Sequence, residues 1–102
     1  MAEWIRACGL EECPPGKLLG VRCGDRGICL ANAAGVFYAF EDRCSHQEFP
    51  LSEGGLEDGT LECAFHGARF DLESGRPVAL PAIRPVKKYP VEVRDGGVYV
   101  EV

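Results

Sequence analysis

Apolar and polar residues alternate along the C-terminal part of the chain with the two-residue period of a β-strand. The apolar positions that follow this period are Tyr89, Val91, Val93, Val98, Val100 and Val102. The charged residues Lys88, Glu92 and Arg94 fall on the face opposite to the first three of them. The pattern predicts strands over residues 86–94 and 98–102, joined by a tight turn and burying one face.

Five further short runs of β-branched and aromatic residues predict additional strands. They are residues 17–23, 27–31, 36–40, 60–63 and 69–72. The chain's 13 glycines and 7 prolines separate these runs, and residues 23–27 and 32–35 have the composition of hairpin turns. Residues 7–13 predict a single turn of helix that ends at Pro14. The fold class we expect is all-β, an antiparallel β-sandwich or barrel.

Two stretches, residues 43–59 and 74–85, show no strand pattern. In a small domain, long irregular segments commonly carry function, because the regular elements are occupied in forming the core. We therefore expect the chemistry of this protein to lie in or beside these stretches.

The size and composition of the chain indicate one globular domain, residues 1–102, with 46% hydrophobic and 26% charged residues. Its net charge of −5 would be repelled by a phosphate backbone, so we expect no nucleic acid and favour partners with basic surfaces. No apolar run approaches the roughly 20 residues that span a bilayer, and the N-terminus lacks the pattern of a signal peptide. We therefore expect no membrane association and a cytoplasmic location, where cysteines persist as thiols or metal ligands.

The chain has two histidines, and each lies within three residues of a cysteine. Cys44 and His46 form a C-x-H motif, Cys63 and His66 form a C-x2-H motif, and sixteen residues separate His46 from Cys63. If the two loops converge, two thiolates and two imidazoles surround one metal centre. This donor set suits either tetrahedral zinc or an iron–sulfur cluster.

The paired motifs resemble the signature of the Rieske family, in which two cysteines hold one iron of a [2Fe-2S] cluster and two histidines hold the other. Further segments of the chain are similar to the family's pattern around its cluster: Phe70-Asp71, Ser74-Gly75 and Leu80-Pro81-Ala82. The resemblance implies one Rieske-type cluster, with Cys44 and Cys63 on the inner iron and His46 and His66 on the outer iron. It also implies a Rieske-like fold with a small cluster-binding subdomain at about residues 41–84.

The total length resembles that of free-standing Rieske ferredoxins. That resemblance implies a one-electron carrier, not an enzyme, which takes electrons from a flavin-dependent reductase and delivers them to a terminal, aromatic-ring-hydroxylating oxygenase. We expect it to act as a monomer that docks transiently on both partners. Phe65 would form a docking rim together with Gln47, Glu48 and Pro81, or it would simply shield the cluster from water.

Several positions depart from the high-potential branches of the family. Those branches carry an extra cysteine in each cluster loop, joined as a disulfide, where this chain has Phe49 or a close neighbour and Phe65. They also carry a serine and a tyrosine that donate hydrogen bonds at the cluster, where this chain has Ala68 and Phe70. Fewer donors predict a reduction potential toward the lower end of the Rieske range of roughly −150 to +300 mV.

The other four cysteines, Cys8, Cys13, Cys23 and Cys29, have spacings that match no second cluster, and we interpret them as ordinary buried thiols. Two other functions remain open: the small subunit of an assimilatory nitrite reductase, and a zinc-stabilised interaction module without redox activity.

Among the remaining aromatic and basic residues, we expect no direct role in the chemistry. Trp4 and Tyr99 are predicted to be core residues. We expect Arg43 and Arg69 to fix the cluster loops by pairing with acidic neighbours along the chain, which are Asp42, Asp71 and Glu73.

Overall fold

A computed structural model describes residues 3–43, 50–64, 67–79 and 84–102. These residues form eleven strands, with two short 3-10 turns at Leu10–Glu12 and Leu51–Glu53. In chain order the strands are β1 Trp4–Gly9, β2 Leu18–Cys23, β3 Arg26–Ala33, β4 Val36–Glu41, β5 Gly55–Glu57, β6 Thr60–Glu62, β7 Arg69–Asp71, β8 Pro77–Ala79, β9 Lys88–Tyr89, β10 Val91–Arg94 and β11 Gly97–Glu101. The prediction of an all-β fold is confirmed. No helix in the described ranges is long and apolar enough to cross a membrane.

The strands pair antiparallel in three sheets. The terminal sheet has the order β1-β11-β10, the central sheet β2-β3-β4-β9, and the short-strand sheet β5-β6-β7-β8. The strands of the short-strand sheet have three residues each, whereas β3 in the central sheet has eight. In the sequence, β5 and β6 lie between the two predicted motifs, and β7 and β8 follow the second motif.

The central sheet is buried on both faces, because alternate residues of β3 enter two separate cores. Ile28 and Leu30 pack with the valines of β11 from the terminal sheet. Cys29 and Ala31 pack instead with residues of the short-strand sheet, including Phe70. We call this second group the lower core; its buried members are Cys29, Ala31, Phe40, Leu51, Leu61, Cys63, Ala68, Phe70, Leu72 and Val86. Each large side chain that is fully buried there contributes about 1.5–3 kcal/mol relative to an exposed one.

Tight two-residue turns connect the hairpins at the predicted places. Ala33 pairs with Val36 across a turn in which Ala34 and Gly35 have φ of 54° and 95°. Two consecutive residues with positive φ are typical of a type I′ turn, whose twist matches that of the strands. Residues 94–97 repeat this geometry.

The predicted boundaries differ from the structure where the sequence pattern is weak. Strand β1 was not predicted, and it occupies part of residues 7–13, so the helical turn there is limited to Leu10–Glu12. Strands β5 and β8 lie in the stretches predicted to be irregular. Residues 86–94 form two strands that are separated by Pro90, which has no amide hydrogen to donate to a ladder.

Two residues predicted to be buried are exposed. Val93 is 45% exposed and Trp4 is 37% exposed, because each lies on an edge strand of the terminal sheet. Period-two alternation therefore identified β10 and its inward face, on which Val91 packs against the core, but not how far burial extends along the edge strand.

Cys8, Cys13, Cys23 and Cys29 are free thiols that are buried in the two cores, as predicted. Burial raises the pKa of Cys8 to about 11, helped by the nearby Cys13 and Glu12. It also raises the pKa of Cys13, Cys23 and Cys29. These side chains therefore act as small apolar core residues at neutral pH.

Candidate metal centre

Of the four predicted ligands, one lies within the part of the chain that the structure describes. Cys63 is described, whereas Cys44, His46 and His66 lie outside the described residues. Residues of the predicted docking rim and its surroundings also lie outside: Gln47, Glu48, Phe49, Phe65, Leu80, Pro81 and Ala82. The site is therefore built from Cys63 and from the residues at which the undescribed segments begin and end.

Cys63 follows directly after β6 and is fully buried in the lower core with a free thiol. Its backbone N–H donates a hydrogen bond to the carbonyl of Ala68, at 2.7 Å. This bond closes residues 63–68, which contain the second motif, into a short loop between β6 and β7. Ala68 and Phe70, at the other end of that loop, are also fully buried in the lower core.

The first motif lies in a loop whose ends are held together by Asp42 and Ser52. Asp42 follows β4, and its Oδ1 and Oδ2 accept hydrogen bonds from the backbone N–H and the hydroxyl of Ser52, both at 2.8 Å. Its own N–H donates to the carbonyl of Gly27, at 3.0 Å, which ties the end of β4 to β3. The nine residues 43–51 are thus closed into a loop that carries Cys44 and His46.

The two loops meet at the turn formed by residues 50–54. Leu51 is fully buried in the lower core with Cys63. A Cβ atom added to Gly54 would lie 1.8 Å from the carbonyl oxygen of Glu62 and 3.2 Å from the N of Ala64. The backbone of the turn therefore lies directly against the backbone on both sides of Cys63.

The segment that contains the predicted proline loop is anchored beside both motif loops. On its N-terminal side, Ala79 of β8 pairs with Arg69 of β7, which follows the second loop. On its C-terminal side, the carbonyl of Lys87 accepts a 2.9 Å hydrogen bond from Glu41 N–H, just before the first loop. A cleft opens there, lined by Glu41, Arg43, Arg84, Pro85, Val86 and Lys87.

The arginine beside the second loop pairs across strands and not along the chain. Arg69 Nη2 lies 2.9 Å from Glu57 Oε1, and its Nε lies 3.4 Å from Glu62 Oε2. The nearby Glu62 carboxylate, followed by Glu57, raises the pKa of Arg69 above its usual value. The prediction that Arg69 pairs with Asp71 or Glu73 was therefore wrong.

Those two carboxylates instead fix the turn between β7 and β8 and its link to the central sheet. The Asp71 carboxylate accepts hydrogen bonds from the N–H and hydroxyl of Ser74, both at 2.9 Å. The Tyr38 hydroxyl donates to Glu73 at 2.7 Å, and this bond raises the pKa of Tyr38.

The arginine beside the first loop has an acidic neighbour at the end of β4. Arg43 Nη2 lies 3.8 Å from Glu41 Oε1.

The charge of the chain is concentrated around this centre. Residues 41–84 contain nine acidic and four basic side chains, which give the full net charge of −5. The other residues contain seven of each and are neutral as a group. A partner that approaches the candidate metal centre therefore meets the acidic part of the molecule.

Sequence reasoning expected Asp42 only as an ion-pair partner of Arg43, and it did not identify the contacts by which three residues organise the site. Asp42, Ser52 and Gly54 have no metal-binding motif of their own, and a carboxylate with a hydroxyl ten residues later is a common chance arrangement. Their importance follows from the side-chain hydrogen bonds of Asp42 and Ser52 and from the close backbone contact at Gly54.

Comparison with known proteins gives consistent results. A family profile described as the Rieske [2Fe-2S] domain matches residues 3–90. The ferredoxin subunit of 3-phenylpropionate/cinnamic acid dioxygenase from Photorhabdus laumondii is 45% identical over 96 residues, which cover 93% of this chain and 90% of that protein.

Two solved structures are similar over nearly their full length. The ferredoxin of Sphingomonas yanoikuyae B1 has a TM-score of 0.90 and 28% identity, with 98% of this chain and 99% of that chain covered. The complex of reduced oxygenase and oxidized ferredoxin in carbazole 1,9a-dioxygenase contains a chain with a TM-score of 0.87 and 37% identity, covering 95% and 91% respectively. The prediction of a Rieske-like fold is confirmed by these matches.

Proposed function

The chain belongs to the Rieske [2Fe-2S] family, and we propose that it carries single electrons from a flavin-dependent reductase to a terminal, aromatic-ring-hydroxylating oxygenase. The observation that carries this proposal is the 45% identity to a dioxygenase ferredoxin subunit along nine-tenths of both chains. The protein is an electron-transfer component and not a catalyst. Among the relatives named here, none favours a nitrite reductase subunit or a zinc-stabilised module.

The residues present fit a Rieske-type [2Fe-2S] cluster, with Cys44 and Cys63 as proposed ligands of one iron and His46 and His66 of the other. Cys63 is a buried free thiol at the end of a strand, and apolar side chains surround it. When bound, the cluster would accept and release one electron, and the added electron would reside on the histidine-ligated iron because it is the more positive of the two. The two thiolates would neutralise the +2 charge of the oxidised iron–sulfide core, and the one electron taken up on reduction would make the net charge one unit more negative.

The acidic segment 41–84, which we propose as the cluster-binding subdomain, supports docking on basic partner surfaces. Its concentrated negative charge would steer a basic face toward the cluster, and surface charges of this kind raise the rate of association more than its strength. The known complex of an oxygenase with a similar ferredoxin supports the oxygenase as one partner. We extend this proposal to a monomeric carrier in the cytoplasm.

The proposed function is tested on the purified holoprotein. After anaerobic reduction with dithionite, we expect an electron paramagnetic resonance spectrum with the low average g-value of a histidine-ligated cluster. The reduced protein is then mixed with cytochrome c as a basic acceptor, and the transfer rate is expected to fall severalfold between about 0.05 and 0.5 M salt as screening shortens the range of attraction. A spectrum typical of an all-cysteine cluster, or a redox-silent protein, would overturn the proposal.

The reduction potential provides a second prediction. Ala68 and Phe70 are fully buried with Cys63, and neither side chain can donate a hydrogen bond to a thiolate or sulfide. We expect a redox titration to give a midpoint in the lower part of the Rieske range of roughly −150 to +300 mV, and below about +100 mV. In Ala68→Ser and Phe70→Tyr, each new donor should raise it by about 40 mV, since a hydrogen bond contributes roughly 1 kcal/mol.

The matched control for these variants is Ala39→Ser, which places the same hydroxyl at a fully buried site in the other core. Its potential should equal that of the wild type. A wild-type midpoint above +100 mV, or equal shifts in all three variants, would contradict the assignment of Ala68 and Phe70 to the cluster's surroundings.

A further inference from the structure

The hydrogen-bonded pair of Asp42 and Ser52 packs closely against strand β2 at Gly20. Each carboxylate oxygen of Asp42 accepts one bond from Ser52, at 2.8 Å, and both residues are partly buried. A Cβ atom at Gly20 of β2 would lie 2.6 Å from Ser52 Oγ and 3.1 Å from Asp42 Oδ2. Strand β2 can therefore pass beside the pair because position 20 carries no side chain.

The same turn that receives these bonds also contacts the second loop. Leu51, next to Ser52 in sequence, is fully buried with Cys63 in the lower core. Gly54, two residues beyond Ser52, lies against the backbone carbonyl of Glu62. One five-residue turn is thus tied to the start of the first loop through Asp42 and to the start of the second loop through Leu51 and Gly54.

We propose that Asp42 and Ser52 are positioning residues that hold the two ligand-bearing loops at the separation the cluster requires. The inference rests on the proposed function, because it assumes that Cys44 and Cys63 bind one cluster. Asp42 is two residues before Cys44, so its bonds to Ser52 fix the point at which the first loop leaves β4. When these bonds are lost, the loops separate more often and the cluster is released faster.

Substitutions of Asp42 and Ser52 can separate the effect of the hydrogen bonds from the effect of the negative charge. A carboxylate accepts both bonds, whereas asparagine keeps one acceptor for the Ser52 N–H and offers an N–H to the Ser52 hydroxyl. Asp42→Asn therefore preserves two hydrogen bonds without the negative charge. Asp42→Ala removes both bonds, and Ser52→Ala removes the hydroxyl bond alone.

The experiment measures release of the cluster from the holoprotein at reduced oxygen and in the presence of excess chelator. Release is followed by visible absorption. We expect release about tenfold faster in Asp42→Ala and about threefold faster in Ser52→Ala, since hydrogen bonds to charged groups are among the stronger ones. Release from Asp42→Asn should be at most about threefold faster than from the wild type, because this variant keeps two hydrogen bonds, although neutral bonds are weaker. Hydrogen exchange of the Ser52 amide in the same holoproteins should accelerate in Asp42→Ala and remain slow in Asp42→Asn.

A matched control is Asn32→Ala. Asn32 forms two comparable side-chain bonds, donating to the Cys13 carbonyl and accepting from Gly35 N–H, both at 2.8 Å, at the opposite end of the β3–β4 hairpin. Its loss should lower thermal stability without the same acceleration of release.

Three results would overturn the positioning role: release from Asp42→Ala at the wild-type rate, release from Asp42→Asn as fast as from Asp42→Ala, or equal acceleration in Asn32→Ala at equal loss of stability. Failure of the proposed function is a different outcome, because the wild-type protein would then lack the histidine-ligated spectrum before any variant is compared.

Discussion

The variant Cys63→Ala is expected to lose the [2Fe-2S] cluster completely. A cluster iron that has lost one of two thiolates is held by too few ligands, and the remaining buried donors cannot replace the charge of the thiolate. We expect the iron content to fall from about two per chain, as a [2Fe-2S] cluster requires, to none, with loss of visible absorption. Because ligation energy is coupled to folding, the cluster loops should also become sensitive to proteolysis.

The matched control for this experiment is Cys29→Ala. Cys29 is likewise a free thiol, is fully buried and belongs to the same lower core as Cys63. Removal of either sulfur leaves a similar small cavity, so any general loss of stability is shared. Cys29→Ala should retain about two irons per chain, as the single cluster requires. If Cys63→Ala retained its iron, or if both variants lost it, Cys63 would not be a specific ligand.

The larger part of the fold could be predicted because the long strands of the central sheet have clear patterns. Strand β3 is recognisable although both of its faces are buried, since β-branched and aromatic residues in it and in β4 are bounded by turn residues. Strands β5 and β8 could not be predicted, because each has three residues and begins with glycine or proline, which are typical of turns and loops. Their pairing is imposed by neighbouring strands and by the lower core.

The ion pairs of the site show why proximity along the chain is a poor guide to proximity in space. Arg69 was predicted to pair with Asp71, two positions away, yet Glu62 lies directly opposite Arg69 in the register of β6 and β7. Directly opposed residues in an antiparallel pair have their Cβ atoms about 5 Å apart, closer than residues two apart along one strand. The register depends on the whole sheet and could not be predicted from either strand alone.

The candidate ligands, in contrast, could be predicted from residue type and spacing. Two cysteine–histidine pairs are rare enough to indicate a metal centre without any knowledge of the fold. The structure adds the closure of both loops and the burial of Cys63, while the assignment of all four ligands stays a prediction. The residues that bring the loops together, Asp42 and Gly54, are ordinary in sequence, and their roles follow from contacts between distant parts of the chain.

Gly54 provides the second prediction with a large expected effect. A methyl group at this position would lie far inside van der Waals distance of the Glu62 carbonyl oxygen. The methyl group is attached directly to the backbone and the oxygen belongs to the backbone, so neither can rotate away. Gly54→Ala must therefore push the turn away from the strand that precedes Cys63. We expect a destabilisation of at least about 2 kcal/mol, the range of overpacked cores, and a fall of roughly 10 °C in the temperature at which the cluster absorption disappears.

The neighbouring glycine supplies the control, because a Cβ atom at Gly55 meets nothing within 4 Å. Gly55 is the first residue of β5 and pairs with Glu62, so Gly55→Ala changes the same strand pair without a clash. Its cluster should be lost within about 5 °C of the wild-type temperature, since replacing a glycine without strain changes stability by less than about 1 kcal/mol. Equal behaviour of the two variants would show that the turn can move without disturbing the metal centre. A selective loss in Gly54→Ala would instead show that close backbone contact between the turn and the Cys63 loop is a condition for holding the cluster.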